Sequence, residues 1–262
     1  MNNPYLKEKK KEKREIFLWQ VGLFSSILIL WELLSAFNII DSFLFSKPSN
    51  IIRLLIDYIS SMEIFKHIFI SVIETLLGLI IGTFIGIVIA IVLWWNKKIA
   101  KILDPLLIML NALPKTALAP ILIIWAGTGI KGITVVAISI SLVLTIISAY
   151  SYFVMIEEDQ IKMLRSFGAT KWQILVKLIL PGNLDNILNI IKINIGMAWV
   201  GVIVGEFIVS RAGIGYLIVY GSQVFKMDLV MMGIIVLIII SLVMNFIVNI
   251  IYKKIKNKRG IF

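Results

Sequence analysis

The sequence contains no cysteine, a single histidine and few charged residues. Without cysteine, the chain cannot form disulfide bonds, cysteine-ligated iron–sulfur clusters or a thiol nucleophile. His67 is the only histidine and no clustered ligands accompany it, so a metal site is not expected. Charged residues make up 16% of the 262 residues, whereas a soluble domain has about 25%. These shortages point away from a water-soluble protein and from metal or thiol chemistry.

The sequence is rich in long hydrophobic segments. Hydrophobic residues make up 60% of the chain, and the mean hydropathy is +0.99. A block of about 20 apolar residues crosses the hydrocarbon core of a bilayer, so we predict a multi-pass membrane protein. The predicted spans are 16–37, 68–95, 102–126, 132–156, 184–209 and 229–252. Pro114 and Pro120 interrupt the third span, where we expect a broken or buried helix.

The distribution of lysine and arginine predicts which side of the membrane each segment faces. With six spans and an internal N-terminus, cytoplasmic segments carry 18 of these residues and outer segments carry six. This bias predicts that both termini lie in the cytoplasm. The predicted organisation is a basic tail (1–15), one membrane domain (16–252) and a second basic tail (253–262). The net charge of +11 therefore reflects topology, and we do not expect nucleic acid binding.

Glycines recur at four-residue spacing in two of the predicted spans. Gly78, Gly82 and Gly86 lie on one face of the second span, and Gly201 and Gly205 repeat the spacing in the fifth. Small residues at this spacing let helices approach closely in lipid. We expect them to serve helix packing rather than conduction.

The cytoplasmic loop 157–181 has the pattern of two helices joined by a tight turn. Gly168 follows a helical stretch and is a natural C-terminal stop, because glycine enters the left-handed region without penalty. Thr170 and Gln173 then have the spacing of a capping box at the start of a second helix. Pro181 interrupts that helix before the fifth span.

The first helix of this loop is amphipathic. Ile161, Leu164 and Phe167 are three residues apart, with polar residues between them. Two interpretations fit this pattern: the helix lies in the lipid interface, or it docks its apolar residues in a groove of a partner protein.

The loop also resembles a known family. Phe167-Gly168-Ala169-Thr170-Lys171-Trp172-Gln173, followed by Leu180-Pro181, resembles the cytoplasmic "EAA" loop of importer permeases in the ATP-binding-cassette (ABC) superfamily. Lys162-Met163-Leu164 stands where that family often has Glu-Ala-Ala. The resemblance implies a coupling helix seated in a cleft of an ATPase subunit. The residues it assigns to ATPase docking are Ile161, Leu164, Arg165, Phe167, Gly168, Ala169, Thr170 and Trp172.

Two further segments resemble the permeases for nitrate, sulfonates and taurine. Asn111 to Pro120 is similar to their PxPKxALAP segment, with Ala112 in place of the first proline. Ala198 to Glu206, followed by Gly213 to Leu217, is similar to their fifth span and outer loop. The likeness covers roughly residues 45–255. It implies an all-α membrane protein of six transmembrane helices with a cytoplasmic coupling helix, the MetI-like permease fold of type I ABC importers.

The resemblance also implies the partners and the mechanism. The chain has no G-x-x-x-x-G-K-[ST] phosphate loop, so energy must come from another subunit. The implied assembly is a homodimer of this chain, two ATPase subunits that bind ATP-Mg and an external substrate-binding protein, in the bacterial cytoplasmic membrane. The chain itself would bind no cofactor and catalyse no reaction. Motion of the coupling helix would alternate the access of a central cavity for a small anion, and uncharged vitamin precursors stay open as substrates.

Ionisable residues within the spans are candidates for the substrate pathway, because they are costly there. The candidates are four ionisable residues, Glu74, Lys115, Lys192 and Glu206, together with Trp199. The two lysines could attract an anion. The alternative is an internal ion pair between Glu74 and either Lys115 or Lys192, which we favour for Glu74.

The remaining pathway candidates also have two interpretations each. Glu206 lines the outer entrance or pairs with Arg211, and Trp199 is a substrate contact or fills the core.

Two other classes of membrane protein fit the sequence less well. A secondary transporter predicts inverted repeats, which the sequence does not show. A membrane-embedded enzyme needs a cluster of carboxylates or histidines within the spans, and the acids here are scattered.

Overall fold

The computed structural model describes residues 4–258 of the chain, and helices dominate this part. In chain order the helices are α1 (Pro4–Ala36), α2 (Ser42–Phe45), α3 (Pro48–Ser60), α4 (Glu63–Trp95), α5 (Lys97–Ala112), α6 (Ala119–Ala126), α7 (Ile130–Val154), α8 (Glu158–Ser166), α9 (Lys171–Ile174), α10 (Leu180–Gly182), α11 (Leu184–Val209), α12 (Ile214–Gln223) and α13 (Met227–Lys258). A 3₁₀ turn (Lys115–Leu118) precedes α6, and a π-helical turn (Leu175–Ile179) joins α9 to α10. The described residues contain no strand, which confirms the all-α prediction.

Among residues 4–258, five helices are long and apolar enough to cross a membrane, namely α1, α4, α7, α11 and α13. The third predicted span consists of α5 and the segment Lys115–Ala126, which meet at an angle of 86°. Counted as one bent span, this pair completes the six. The bend lies at Pro114, which lacks a backbone N–H, and Leu113 before it is extended (φ −65°, ψ 134°). The break predicted from Pro114 is therefore confirmed.

The first and last helices extend beyond the predicted spans. Helix α1 begins at Pro4, so the predicted tail boundary at residue 15 falls inside a helix. Helix α13 likewise continues through the basic residues as far as Lys258. Lysine and glutamate are good helix formers, so a charged sequence next to a span continues the helix. Of the predicted C-terminal tail, residues 259–262 lie outside the described part of the chain.

The described chain divides into two compact units. The smaller unit contains residues 4–63 and 220–232. Within it, the Glu32 carboxylate accepts hydrogen bonds from the Ser49 amide (3.0 Å) and hydroxyl (2.8 Å), which satisfies a free donor at the start of α3. The Ser46 hydroxyl donates to Asp228 (2.5 Å) and holds the start of α13.

The larger unit contains residues 64–219 and 233–258, and α7 packs between α4 and α11 in it. A Cβ atom added to Gly78 would lie 2.5 Å from Ala137 Cβ, and one added to Gly86 would lie 2.6 Å from Thr145 Cβ. In α11, a Cβ at Gly201 would lie 2.5 Å from Cα of the same residue, Ala137. The glycines therefore serve close helix packing, as predicted.

A second core lies where the loop 157–181 joins the spans. Its buried residues come from α4, α7, α9, the π-helical turn and α11. The largest of them are Phe153, Ile174, Leu175, Ile179 and Ile190. This core fixes the position of the loop on the larger unit.

Candidate functional site

The segment after α7 folds as a helix, a glycine turn and a second helix. At the end of α8, the Gly168 amide donates to the Arg165 carbonyl (2.9 Å) and the Ala169 amide donates to the Leu164 carbonyl (3.0 Å). This pair of bonds is the Schellman motif. Gly168 has φ +79°, in the left-handed region that favours glycine. We call residues 157–181 the coupling segment.

The second helix of the coupling segment starts at the predicted capping box. The Gln173 amide donates to Thr170 Oγ1 (3.2 Å), and the Thr170 amide donates to Gln173 Oε1 (2.7 Å). After α9 the backbone widens into the π-helical turn, and Pro181 follows within α10. Proline has no N–H to donate, so a local change in the hydrogen-bond pattern is expected beside it.

The apolar residues of the coupling segment face two directions. Ile161, Leu164 and Ala169 pack against the second core of their own chain. Phe167 is 80% exposed and Trp172 is 62% exposed. Arg165 and Thr170, also assigned to docking, are exposed. The apolar face selected by the spacing of Ile161, Leu164 and Phe167 is therefore divided: its first two members pack against their own chain, and its last member is exposed. Met163, which the sequence pattern did not select, is 54% exposed beside it.

Side chains at the end of α4 hold the second helix of the coupling segment. The Lys171 ammonium donates to the Trp95 carbonyl and lies 5.2 Å from the centroid of the Trp95 ring. It also lies 5.9 Å from the Trp94 ring, and the Trp95 and Trp172 rings are 6.4 Å apart. Cation–π and aromatic contacts thus fasten this segment to a membrane-spanning helix.

A buried polar cluster lies near the opposite end of α4. Ser71 donates its hydroxyl hydrogen to Glu206 Oε1 (2.5 Å), and the Gly215 amide donates to Glu206 Oε2 (2.5 Å). The Ile214 amide donates to Ser71 Oγ (2.8 Å). Glu206 is 1% exposed. The carboxylate and hydroxyl therefore satisfy the free amides at the start of α12 and fix its position on the spans.

Glu74 completes this cluster, and His67 and Tyr216 lie beside it. Glu74 is 1% exposed, its carboxyl group lies against that of Glu206, and its Oε2 atom has no hydrogen-bond partner among the described residues. The Gly213 amide donates to His67 Nδ1 (3.0 Å), and the His67 ring stacks on Tyr216 with 5.9 Å between centroids. We call Ser71, Glu74, Glu206 and the backbone of 213–215 the carboxylate cluster.

The structure brings together only two of the five pathway candidates, Glu74 and Glu206. The favoured ion pair of Glu74 with Lys115 or Lys192 is not formed. Lys115 instead donates to the carbonyl of Asn111 in its own span (3.1 Å), and the Lys192 ammonium lies 3.7 Å from the centroid of the Tyr252 ring. The three residues lie on different elements whose contacts the sequence does not specify.

The structure also shows the environments of Glu206 and Trp199, for which the sequence left two interpretations each. The Glu206 carboxylate binds Ser71 and Gly215 in place of the suggested partner Arg211, which is exposed. Trp199 is 5% exposed, and its indole N–H has no hydrogen-bond partner among the described residues. In this structure Trp199 is a core side chain.

A polar contact between three helices was missed from the sequence. The Asn194 side-chain amide donates to Thr83 Oγ1 (2.8 Å) and to Thr145 Oγ1 (2.7 Å), which joins α11 to α4 and α7. Asn194 is fully buried. An uncharged amide in the middle of a predicted span is the signal that could have revealed it, because such groups bond across helices in lipid.

Comparisons with known proteins agree with this architecture. Residues 78–259 match the family model described as "Binding-protein-dependent transport system inner membrane component". The chain is 27% identical to the putative aliphatic sulfonates transport permease protein SsuC of Bacillus subtilis, with 96% of this chain and 92% of the relative covered. It is 26% identical to the formylaminopyrimidine transport permease protein ThiX of Halalkalibacterium halodurans (74% and 76% covered).

A third relative and a solved structure agree with these. The chain is 22% identical to the taurine transport system permease protein TauC of Escherichia coli, over 86% of this chain and 84% of the relative. A chain of the MetNI methionine ABC transporter in an inward-facing conformation superposes with a TM-score of 0.59 at 20% identity, covering 70% of this chain and 93% of that one. This similarity shows the fold. The family match covers more than half of the sequence, and the chain therefore belongs to the inner-membrane components of binding-protein-dependent transport systems, as the non-catalytic permease subunit of an ABC importer.

Proposed function

We propose that two copies of this chain form the translocation pathway for a small organic anion, with the coupling segment of each copy docked on an ATPase subunit that binds ATP-Mg. The observation that carries the proposal is the exposed pair Phe167 and Trp172 on a segment that is anchored to the spans through Ile161, Leu164 and Ala169. Motion imposed on this segment would pass directly to α4, α7 and α11.

A partner protein is a better fit for these residues than lipid alone. Aromatic residues fixed on a rigid element beside a tight turn are typical anchors of protein interfaces. The turn itself is rigid, since the Schellman motif and the capping box satisfy the backbone on both sides of Gly168. A rigid connection is what a mechanical coupling element requires, because a flexible one would absorb the motion.

The bent third span supports a pathway between two copies. Pro114, Thr116 and Ala117 are exposed at the 86° break, where the chain is not α-helical. Irregular backbone at membrane depth is tolerated only where it is buried in protein or lines a water-filled cavity. A second copy of the chain, with the pathway between the two, provides both. Lys115 lies in this segment, half-buried, with only a backbone carbonyl as its partner among the described residues.

The names of the relatives guide the choice of substrate. Two of the three relatives above are named for transport of sulfonates or taurine, which carry a sulfonate group, and one for formylaminopyrimidine. A lysine in the proposed pathway favours the anion, because a cation there attracts negative charge. An external binding protein would deliver the substrate.

The orientation follows the lysine and arginine distribution. The proposed topology places both termini and the coupling segment in the cytoplasm of a bacterium, and the start of α12 on the outer face. The cytoplasm is the side on which an ATPase subunit meets ATP.

The test is uptake into vesicles that contain this chain with its ATPase and an external binding protein. Taurine and ethanesulfonate are compared with formylaminopyrimidine, with and without ATP. We expect ATP-dependent uptake of a sulfonate and a loss of about tenfold in a Lys115→Met variant, since removing one favourable charge contact of about 1.4 kcal/mol is a tenfold change. Lys131→Met, which removes an exposed lysine at the start of α7, is the matched control and should be unaffected. Uptake of formylaminopyrimidine alone, or unchanged sulfonate uptake in Lys115→Met, would remove the anion pathway from the proposal.

A further inference from the structure

A cavity of about 660 Å³ lies between the end of α4, the start of α5 and the coupling segment. All of its lining residues belong to the larger unit. Its lining combines basic side chains with aromatic ones. Neither the exposed aromatic residues Phe167 and Trp172 nor the carboxylate cluster lines it.

Six basic side chains line this cavity, with a single acid among the lining residues, Glu158. The basic residues are Lys97, Lys98, Lys101, Lys162, Arg165 and Lys171. Lys97 forms a weak pair with Glu158 (4.0 Å), and Lys162 pairs with Asp159 (3.0 Å). Both pairs are solvent-exposed, so they neutralise little of the local field. No carboxylate among the described residues lies within ion-pair distance of Lys98 or Lys101.

The rest of the lining is mostly apolar and aromatic, and we call its aromatic part the tryptophan wall. Trp94, Trp95 and Tyr150 line it, with the fully buried Phe153 and Ile174 at its base. The two tryptophans end a membrane-spanning helix, and tryptophan is enriched where a helix leaves the hydrocarbon for the head-group region. The cavity therefore lies at the depth where a lipid changes from acyl chain to head group.

We propose that this cavity binds the phosphate head group of an anionic phospholipid, with its glycerol and upper acyl chains against the tryptophan wall. Basic pockets between transmembrane helices on the cytoplasmic side bind such head groups, because the phosphate is neutralised without leaving the interface. A free phosphate would use the lysines but not the aromatic wall. The choice of the inner leaflet rests on the orientation given under the proposed function, whereas the binding chemistry does not.

A bound lipid at this position would contact the coupling segment. Lys162, Arg165 and Lys171 belong to that segment, and Lys98 and Lys101 belong to the start of α5. An anion between them would reduce the repulsion among these cations and fasten α8 to the spans. Anionic lipid would thereby support the position from which α8 reaches the ATPase.

The experiment measures lipid retained by the purified full-length protein in complex with its ATPase. The complex is exposed to an equal mixture of phosphatidylglycerol and phosphatidylcholine in detergent, and native mass spectrometry gives the ratio of the two lipids bound. A Lys98→Gln/Lys101→Gln variant is compared with Lys253→Gln/Lys254→Gln. The control removes the same charge from exposed lysines of α13 that do not line the cavity.

We expect the wild type to prefer phosphatidylglycerol and the Lys98→Gln/Lys101→Gln variant to lose this preference by at least about tenfold, since each lysine near an anionic lipid contributes roughly fivefold in affinity. The control should change by less than about twofold. Should the double variant not fold, Lys98→Gln alone should show the fivefold loss. An unchanged preference in the variant, or a preference lost equally in the control, would overturn the proposal.

Two further arms distinguish a bound lipid from free phosphate and from a failure of ATPase docking. Millimolar inorganic phosphate should not displace the lipid, and displacement at this concentration would assign the site to free phosphate and overturn the lipid proposal. The ATPase should remain bound in both double variants, since neither alters the docking residues. Loss of lipid preference with the ATPase retained supports the lipid site, whereas loss of the ATPase in the wild type on purification would count against the proposed function instead.

Discussion

The two ends of α4 differ in exposure and in the contacts that stabilise them. At one end, the coupling segment is exposed and is shaped by backbone motifs of neighbouring residues, the glycine turn at Gly168 and the cap at Thr170. At the other end, the carboxylate cluster is buried and joins side chains from α4 and α11 to the start of α12. We interpret the first end as a surface for a partner, whereas the contacts at the second end hold α12 on the spans. Substitutions should therefore affect interaction at the first end and stability at the second.

The largest expected effect is Glu206→Ala in the carboxylate cluster. This change leaves the Ser71 hydroxyl and the Gly215 amide buried without their acceptor, at about 1–3 kcal/mol for each group. We expect the free energy of unfolding in detergent to fall by about 3 kcal/mol or more. Glu157→Ala, which removes an exposed acid, is the control and should change it by less than about 0.5 kcal/mol. Equal stability of the two variants would show that the cluster does not hold α12.

Gly213→Ala should have the next largest effect. Gly213 has φ +124°, and a Cβ atom there would collide with the Glu206 carboxylate. Gly127 also has a positive φ (+88°), but nothing lies within 4 Å of its Cβ position. Gly127→Ala therefore measures backbone strain alone, about 1 kcal/mol, and Gly213→Ala measures strain plus the collision. We expect Gly213→Ala to lower the melting temperature at least about twice as much. Similar shifts would mean that the carboxylate moves aside freely.

At the exposed end, Gly168→Val should uncouple ATP hydrolysis from uptake while the spans remain folded. A β-branched residue resists φ +79° by about 1–2 kcal/mol, enough to open the turn, whereas open space surrounds the Cβ position. Asparagine is of similar size and enters the left-handed region, so Gly168→Asn should keep most of the coupling. The ratio of substrate transported to ATP hydrolysed in vesicles distinguishes the two. Normal coupling in Gly168→Val would contradict the role of the turn.

The smallest expected effect belongs to Asn194→Ala at the centre of the bundle. Its two hydrogen bonds to threonines of α4 and α7 should contribute about 1 kcal/mol together, since such bonds average about 0.6 kcal/mol in membranes. Asn189→Ala, on the same helix but exposed, should be neutral. Denaturation in mixed micelles measures both. A stability of Asn194→Ala equal to that of Asn189→Ala would show that the amide does not contribute to helix packing.

Local sequence predicted the features that depend on neighbouring residues. The spans follow from hydropathy, the bend from Pro114, and the turn from Gly168 with its cap at Thr170. Each of these depends on backbone preferences within a few residues. The glycine spacing of α4 was likewise sufficient to predict close helix packing, although not which helix packs there.

Features that depend on which helices are neighbours could not be predicted. Glu74 was expected to pair with a lysine, and it lies against Glu206 because α4 and α11 meet at that level. Ile161 and Leu164 were assigned to a partner, and they cover a core formed by five other elements. A helical spacing identifies an apolar face, but it does not say whether the chain itself or a second protein covers that face.

The proposed function requires that the exposed residues of the coupling segment contact an ATPase during transport. The chain has no native cysteine, so a single cysteine can be placed at Phe167 and, as a matched control on the inward face of the same segment, at Leu164. We expect the cysteine at position 167 to cross-link to the ATPase subunit, with a yield that changes when ATP is added, and the cysteine at position 164 not to cross-link. Equal cross-linking from both positions, or labelling of position 167 by a membrane-impermeant reagent added outside intact cells, would contradict it.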